Sequence, residues 1–263
     1  MPELNVSFIQ TSLFWEDAAA NLHQFRQWMK NVASGQDLII LPEMFATGFS
    51  THPEHCAEEM NGDSVTFVKE MAHQTKATLI GSLMIRENGK YYNRCMVATP
   101  DGSLTWYDKK HLFRMSDEYK VFTAGDEKIN VKIKEWKVQP LVCYDLRFPV
   151  WTRNTFTNGV FEYDLQLFVA NWPASRRDVW KSLLVARAIE NQAFVIGVNR
   201  LGDDGYGTPH AGDSMVVDPK GKIMMDARSD PGVYQVSLQL EDLVSFRKSF
   251  PVAYDWDSFH IGK

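Results

Sequence analysis

Apolar and polar positions divide this chain into short strand-like runs separated by amphipathic stretches. Leu4, Val6 and Phe8 alternate with their neighbours and predict a strand over 4–10. Ala20, Leu22, Phe25, Trp28, Met29 and Val32 recur at helical spacing and predict a helix over 17–32. Residues 38–41 are continuously apolar, as in a strand covered on both faces, and Pro42 closes the helical alternative. A second helix is expected over 64–76 with Ser64 as its N-cap. Strands follow at 78–86 and 91–99, then the turn Pro100-Asp101-Gly102 and a strand at 103–107.

Residues 113–124 are irregular, and a loop there suits a pocket wall. Beyond it the pattern predicts strands at 128–136 and 138–144, a helix at 148–158, a strand at 165–170, a helix at 179–191 and a strand at 194–199. Residues 212–217 and 222–226 flank Asp218-Pro219-Lys220-Gly221 as a hairpin, and 233–238 is the last strand. A tail follows with Phe246, Phe250, Tyr254 and Trp256. Mixing βα units with hairpins implies mixed sheets, and this many strands pack better as two sheets than as one very wide sheet. The expectation is an α/β fold, a four-layer α-β-β-α sandwich with two mixed sheets, formed by a single domain over 1–263.

Composition narrows the functional classes. With 44% hydrophobic and 23% charged residues among 263, the chain reads as an ordinary globular protein. A net charge of −5 disfavours nucleic acid as a partner. No signal-like start and no run of membrane-spanning length is evident, so a cytoplasmic protein without membrane contact is expected. Three cysteines without a CxxC pair suit free thiols better than a disulfide framework. His52, His55 and Cys56 lack a partner cluster, so the segment is read as a solvated loop and no metal is expected.

Three residues stand at or just beyond the ends of apolar runs: Glu43 after 38–41, Lys109 after Trp106-Tyr107-Asp108, and Cys143 after Val138-Gln139-Pro140-Leu141-Val142. Together they could hydrolyse an amide through a thioester. A thiol with its ordinary pKa near 8.5 is mostly protonated at neutral pH and needs a base, which Glu43 can be. Lys109 and the backbone N–H of Tyr144 can meet the tetrahedral oxyanion as an oxyanion hole. Glu43 can then protonate departing ammonia and activate the water that releases the acyl group. Arg187 and Glu190, three apart on one predicted helix, read as a structural charge pair.

The segments LPEMF (Glu43), YDKKHLF (Lys109) and LVCYDLRFP (Cys143) resemble, in order and separation, the three signatures of the nitrilase, or carbon–nitrogen hydrolase, superfamily. ANWP at 170–173, ARAIENQAFVIGVNR at 186–200 and GDSMVVDPKG at 212–221 extend the resemblance over nearly the whole chain. The family's lysine stands two residues before the histidine, which selects Lys109 over Lys110. Its further glutamate maps to Glu118 ahead of Gly125-Asp126, with Asp117 as a rival.

ATGFS after Glu43, YDLRFP and the ANWP segment followed by Arg176 look most like the ω-amidase branch, which releases ammonia from 2-oxoglutaramate or 2-oxosuccinamate. Such substrates end in a carboxylate, which a guanidinium clamps well. Arg176 or Arg147 is the expected anchor, with Phe45, Phe113 and Trp172 as apolar walls. The resemblance also implies a homodimer, for which Val150, Trp151, Phe156 and the aromatic tail are candidate contacts, and no metal or organic cofactor. Other readings are a broader amidase or N-carbamoyl amine hydrolase, a non-catalytic binding protein with the fold, and a redox-sensing role for Cys143.

Overall fold

The computed structural model describes residues 3–262. Its first six-stranded sheet contains β1 (Glu3–Gln10), β2 (Leu38–Ile40), β3 (Thr78–Glu87), β4 (Lys90–Ala98) and β5 (Leu104–Asp108). The second contains β6 (Val131–Ile133), β7 (Trp136–Val142), β10 (Leu165–Ala170), β11 (Phe194–Asn199), β14 (Met215–Val217) and β15 (Ile223–Asp226). Two small hairpins lie between these, β8–β9 (Phe156–Thr157, Val160–Phe161) and β12–β13 (Leu201–Asp203, Pro209–Ala211). The final strand β16 (Gly232–Gln239) returns to the first sheet beside β1. Parallel pairing fills both centres, β1-β2-β3 and β7-β10-β11, and antiparallel strands close the edges, so both sheets are mixed.

Alternation within the strands explains the layering. Val6, Phe8, Leu38, Ile40 and Ile80 turn inward to a core shared with Val138, Leu165 and Leu167 of the second sheet. Their neighbours Ile9, Ile39 and Leu79 turn outward against Phe25 of α1 (Ala18–Met29) and Val68 of α3 (Asp63–Thr75). This double burial is why residues 38–41 carry no polar position. Beyond the second sheet, α6 (Arg177–Asn191) packs Leu184 against Gly197 of β11, and Leu184 and Ala188 belong to the same continuous hydrophobic cluster. The expected two mixed sheets flanked by helices are present.

Several boundaries differ from the sequence expectation. Asp17 caps α1, accepting from the Ala20 N–H at 2.9 Å. Gly62, not Ser64, is the N-cap of α3; Ser64 sits in the first turn, where its N–H donates to the Glu58 carboxylate. Between α1 and α3 lies the short α2 (Pro53–Cys56), which holds two of the three residues expected in a loop. The irregular stretch after β5 contains the single-turn α4 (Glu118–Val121). The strand expected over 128–136 breaks at Lys134, whose φ is +52°, and Trp136 opens β7 instead.

The helix expected over 148–158 is only the turn α5 (Pro149–Thr152). Asn158 and Gly159 take φ of +52° and +79°, a two-residue turn that favours the β8–β9 hairpin over a helix. The tail contains α7 (Leu240–Ser249), whose Leu240 and Leu243 enter the inner core. The β12–β13 hairpin went unpredicted because its strands are short and flanked by glycines.

Candidate active site

Segments from both sheets converge where the parallel strands end, the usual place for a ligand site in an α/β fold. Glu43 follows β2, Lys109 follows β5, Cys143 follows β7 and Asn171 follows β10. The first two come from one sheet and the last two from the other, so the site straddles the seam.

Lys109 donates to Glu43 Oε1 at 2.9 Å and to the two Glu118 oxygens at 2.9 and 3.0 Å. All three side chains are fully buried. Asn93, on β4, bridges the two carboxylates, donating to Glu43 Oε1 at 2.8 Å and Glu118 Oε1 at 3.1 Å. Glu118 also accepts the Phe113 N–H, which fixes the loop carrying the cavity wall. Asp117, the alternative to Glu118, points to solvent and pairs with Lys120. Gly125 lets this loop lie flat on the end of β5, since a Cβ there would stand 2.2 Å from the Asp108 carbonyl oxygen.

Burial opposes the charge on Lys109, but Glu118, then Glu43 and Cys143, outweigh it and hold the ammonium above its ordinary pKa. Burial, reinforced by Glu43 and opposed by Lys109, raises the Glu118 carboxyl. Burial also pushes the Cys143 thiol well above its usual value; Glu43 adds to this and Lys109 counters it. Burial and the adjacent Glu43 carboxylate therefore favour the neutral thiol at Cys143.

The turn presenting Cys143 is strained and braced. Cys143 has φ +43° and Met44, just after Glu43, has φ +44°; few non-glycine residues adopt this region without support from their surroundings. Asp145 supplies that support at the elbow. It accepts from the Val142 N–H at 3.1 Å, the Tyr107 hydroxyl at 2.8 Å, and the His111 N–H and ring at 3.0 and 2.8 Å. Arg187 donates to the Leu146 carbonyl at 2.8 Å as well as pairing with Glu190 at 2.7 Å, so the expected charge pair also ties α6 to the elbow. Tyr144 is the second residue of this short 3-10 turn, Cys143–Arg147, at an N-terminal end where backbone N–H groups lack a partner inside the turn and can face an oxyanion.

A cavity of about 600 Å³ opens above Cys143 and Lys109. Phe113, Tyr144, Trp172, Arg147 and Arg176 all line it. The Arg147 guanidinium lies 5.0 Å from the Trp172 ring centre, and that of Arg176 lies 5.3 Å from the Phe113 ring centre. Phe45 is a correction. Its N–H follows the edge of β3, donating to the Ser82 carbonyl, and its ring is buried in the outer core against Phe25 and Phe67. Phe49 takes the wall position instead, 5.3 Å from the Lys109 Nζ.

Asn93, Asn171, Phe49 and the β12–β13 hairpin were missed. A buried asparagine within an apolar strand was the available signal for Asn93, and Asn171 lies inside the ANWP segment without having been singled out. Among the described residues no group of three or more His, Cys, Asp or Glu side chains could hold a metal.

The sequence model of one family, described as carbon–nitrogen hydrolase, matches residues 5–248. The chain belongs to the carbon–nitrogen hydrolase family. This hydrolase is 41% identical over 263 residues to the omega-amidase YafV of Escherichia coli, covering 99% of this chain and 100% of that one. It is 30% identical to the 2-oxoglutaramate amidase of Bacillus subtilis, covering 95% and 96%. The crystal structure of XC1258 from Xanthomonas campestris, a CN-hydrolase superfamily protein with an arsenic adduct in its active site, superposes with a TM-score of 0.98. That pair shares 43% identity over 100% of both chains.

Proposed function

We propose that this carbon–nitrogen hydrolase is an ω-amidase. It hydrolyses the terminal amide of small keto-acid amides such as 2-oxoglutaramate and 2-oxosuccinamate to the dicarboxylic keto acid and ammonia. The observation that carries the reading is the pairing of a buried Glu43–Lys109–Cys143 centre with two cavity-wall guanidiniums. Among the described residues neither Arg147 nor Arg176 pairs with a carboxylate. Two of the relatives named above, an omega-amidase and a 2-oxoglutaramate amidase, point the same way.

In this reading the Cys143 sulfur attacks the amide carbon as its proton passes to Glu43. The developing oxyanion is met by the Lys109 ammonium and the Tyr144 N–H. Collapse breaks the C–N bond, and the proton on Glu43 goes to the departing nitrogen to give ammonia. Water, deprotonated by Glu43, then cleaves the thioester and restores the thiol. Glu118 and Asn93 keep Lys109 charged and Glu43 oriented throughout. A guanidinium holds the distal carboxylate.

Steady-state ammonia release from 2-oxoglutaramate, measured beside glutamine and a simple nitrile, tests this reading. The keto-acid amide is expected to be strongly preferred, and no turnover of it would sink the assignment.

A homodimer in the cytoplasm, formed by one domain spanning the chain, completes the proposal. Val150, Phe250 and Tyr254 are exposed and could meet a second copy. Trp151 cannot, because it is buried and donates to the Tyr107 hydroxyl at 3.0 Å. Phe156 packs on Phe161 and Tyr254 of its own chain. No described helix is long and apolar enough to cross a membrane.

A further inference from the structure

The β12–β13 hairpin lines part of the cavity through Asp204, Tyr206, Thr208 and His210, and hydrogen bonds tie it down at both ends. At its base Arg200 is fully buried and donates to the Leu201 and Asp203 carbonyls at 2.9 Å each. At its tip the Asp204 carboxylate accepts the Tyr206 and Thr208 N–H groups at 2.9 and 2.8 Å. The Tyr206 hydroxyl reaches across to Thr51, 2.8 Å from its Oγ1, and so clips the hairpin to the segment after Phe49. β13 packs against the turn Ala174–Arg176.

His210 lies on β13 and lines the cavity, yet it is only 6% exposed, and its Nδ1 has no hydrogen-bond partner among the described residues. A buried polar atom left unpaired costs about 1–3 kcal/mol, so a ligand that supplies the partner is favoured. We propose that His210 is a specificity-determining residue whose imidazole N–H donates to the 2-oxo oxygen of the substrate, beside the carboxylate held by the arginines. This inference rests on the ω-amidase reading.

Two observations support the pairing. The oxo carbon and the carboxylate carbon are adjacent in the substrate, and β13 and the Arg176 turn are adjacent in the fold. Burial, and then the neighbouring Arg200 guanidinium, push the His210 pKa down, outweighing the opposite pull of Asp204 and of the nearby Thr208 and Gly202 backbone, which favours the neutral ring. A neutral donor suits a neutral carbonyl oxygen and leaves the charge of the carboxylate to the arginines.

The test compares kcat/KM for 2-oxoglutaramate with that for glutaramate, which has the same chain and carboxylate but no oxo group. The unmodified enzyme is expected to prefer the oxo compound. His210→Ala is expected to lose about ten-fold on 2-oxoglutaramate and little on glutaramate. His210→Asn, which can place an amide N–H where Nδ1 lies, is expected to restore part of the preference and guards against a merely misfolded alanine variant. Equal losses on both substrates in both variants, or no preference in the unmodified enzyme, would overturn the role of His210 alone. Failure of the unmodified enzyme to turn over 2-oxoglutaramate would overturn the ω-amidase reading, and this inference with it.

Discussion

Glu43 and Asn171 are joined by two hydrogen bonds across the seam between the sheets. The Asn171 backbone N–H donates to Glu43 Oε2 at 2.7 Å, and its side-chain amide donates to the Glu43 carbonyl oxygen at 2.6 Å. The Cys143 sulfur lies 4.0 Å from the Asn171 carbonyl oxygen. One residue therefore sets the position of the proposed base relative to the proposed nucleophile.

Asn171→Ala keeps the backbone bond and removes the side-chain one, leaving the Glu43 carbonyl buried and unpaired. Thermal or urea unfolding should show a loss of about 1–3 kcal/mol. The strained turn at Met44 loses a tether, so kcat should fall about ten- to a hundred-fold with KM little changed. A fall in stability without one in kcat would show that the second bond does not position the base.

Glu43→Gln separates two effects of one carboxylate. Turnover should drop by about a thousand-fold or more, because the thiol proton has no acceptor. Burial is the largest cause of the raised Cys143 pKa and Glu43 is the next, so removing its charge should move the thiolate titration to lower pH. Thiolate ultraviolet absorbance across a pH series reads this directly. A titration that moves upward instead would contradict the assigned electrostatics.

Much of this was legible in the chain because the chemistry sits at strand ends. The continuous run before Glu43 and the apolar run before Cys143 are strands buried on both faces, so their termini could be located from hydropathy alone. Lys109 needed the family resemblance to be separated from Lys110, since two adjacent lysines look alike until the fold buries one of them. Phe45 and Phe49 could not be told apart, because the turn at Met44, with its positive φ, decides which ring faces the cavity. His210 carries no local signal: its burial follows from a hairpin whose short strands have little pattern of their own.

Lys109→Met leaves Glu43 and Glu118 buried without their cation. Breaking such a pair typically costs about 3–5 kcal/mol. The pH dependence has a definite sign. Burial already raises the Glu118 pKa above its ordinary 4.5, and without Lys109 it must rise further. A group whose folded pKa is raised contributes stability below its unfolded pKa and loses it as pH climbs through the folded value. The stability gap between this variant and the unmodified protein should widen as pH rises above the ordinary carboxylate range. Urea denaturation at a series of pH values checks it, and a gap that narrows over that range would refute the account.

Asp145→Ala removes the acceptor shared by the Val142 N–H, Tyr107 and His111 behind Cys143. Hydrogen bonds to a charged group contribute about 1.5–3 kcal/mol each, so a loss of about 3 kcal/mol or more is expected in urea denaturation. The positive φ at Cys143 would then relax, and kcat should fall more than KM rises. Unchanged kcat in a stable Asp145→Ala variant would mean that the elbow holds its shape without this carboxylate.

Arg176 and Arg147 lie on the wall that the far end of a short dicarboxylic amide must reach. A bidentate guanidinium–carboxylate contact is among the stronger hydrogen-bonded pairs, at about 1.5–3 kcal/mol per charged bond. Arg176→Ala should therefore raise KM for 2-oxoglutaramate about ten- to a hundred-fold, while KM for an uncharged amide of similar length stays within about three-fold. Arg147→Ala provides the comparison, because its guanidinium also packs against Trp172 and its loss should disturb both substrates through the wall. If Arg147→Ala alone shows the charge-selective effect, the anchor is Arg147, and the carboxylate is held from the Cys143–Arg147 turn. If both variants lose equally on charged and neutral amides, neither guanidinium is the anchor, and the preference for a keto-acid amide must come from the rest of the cavity.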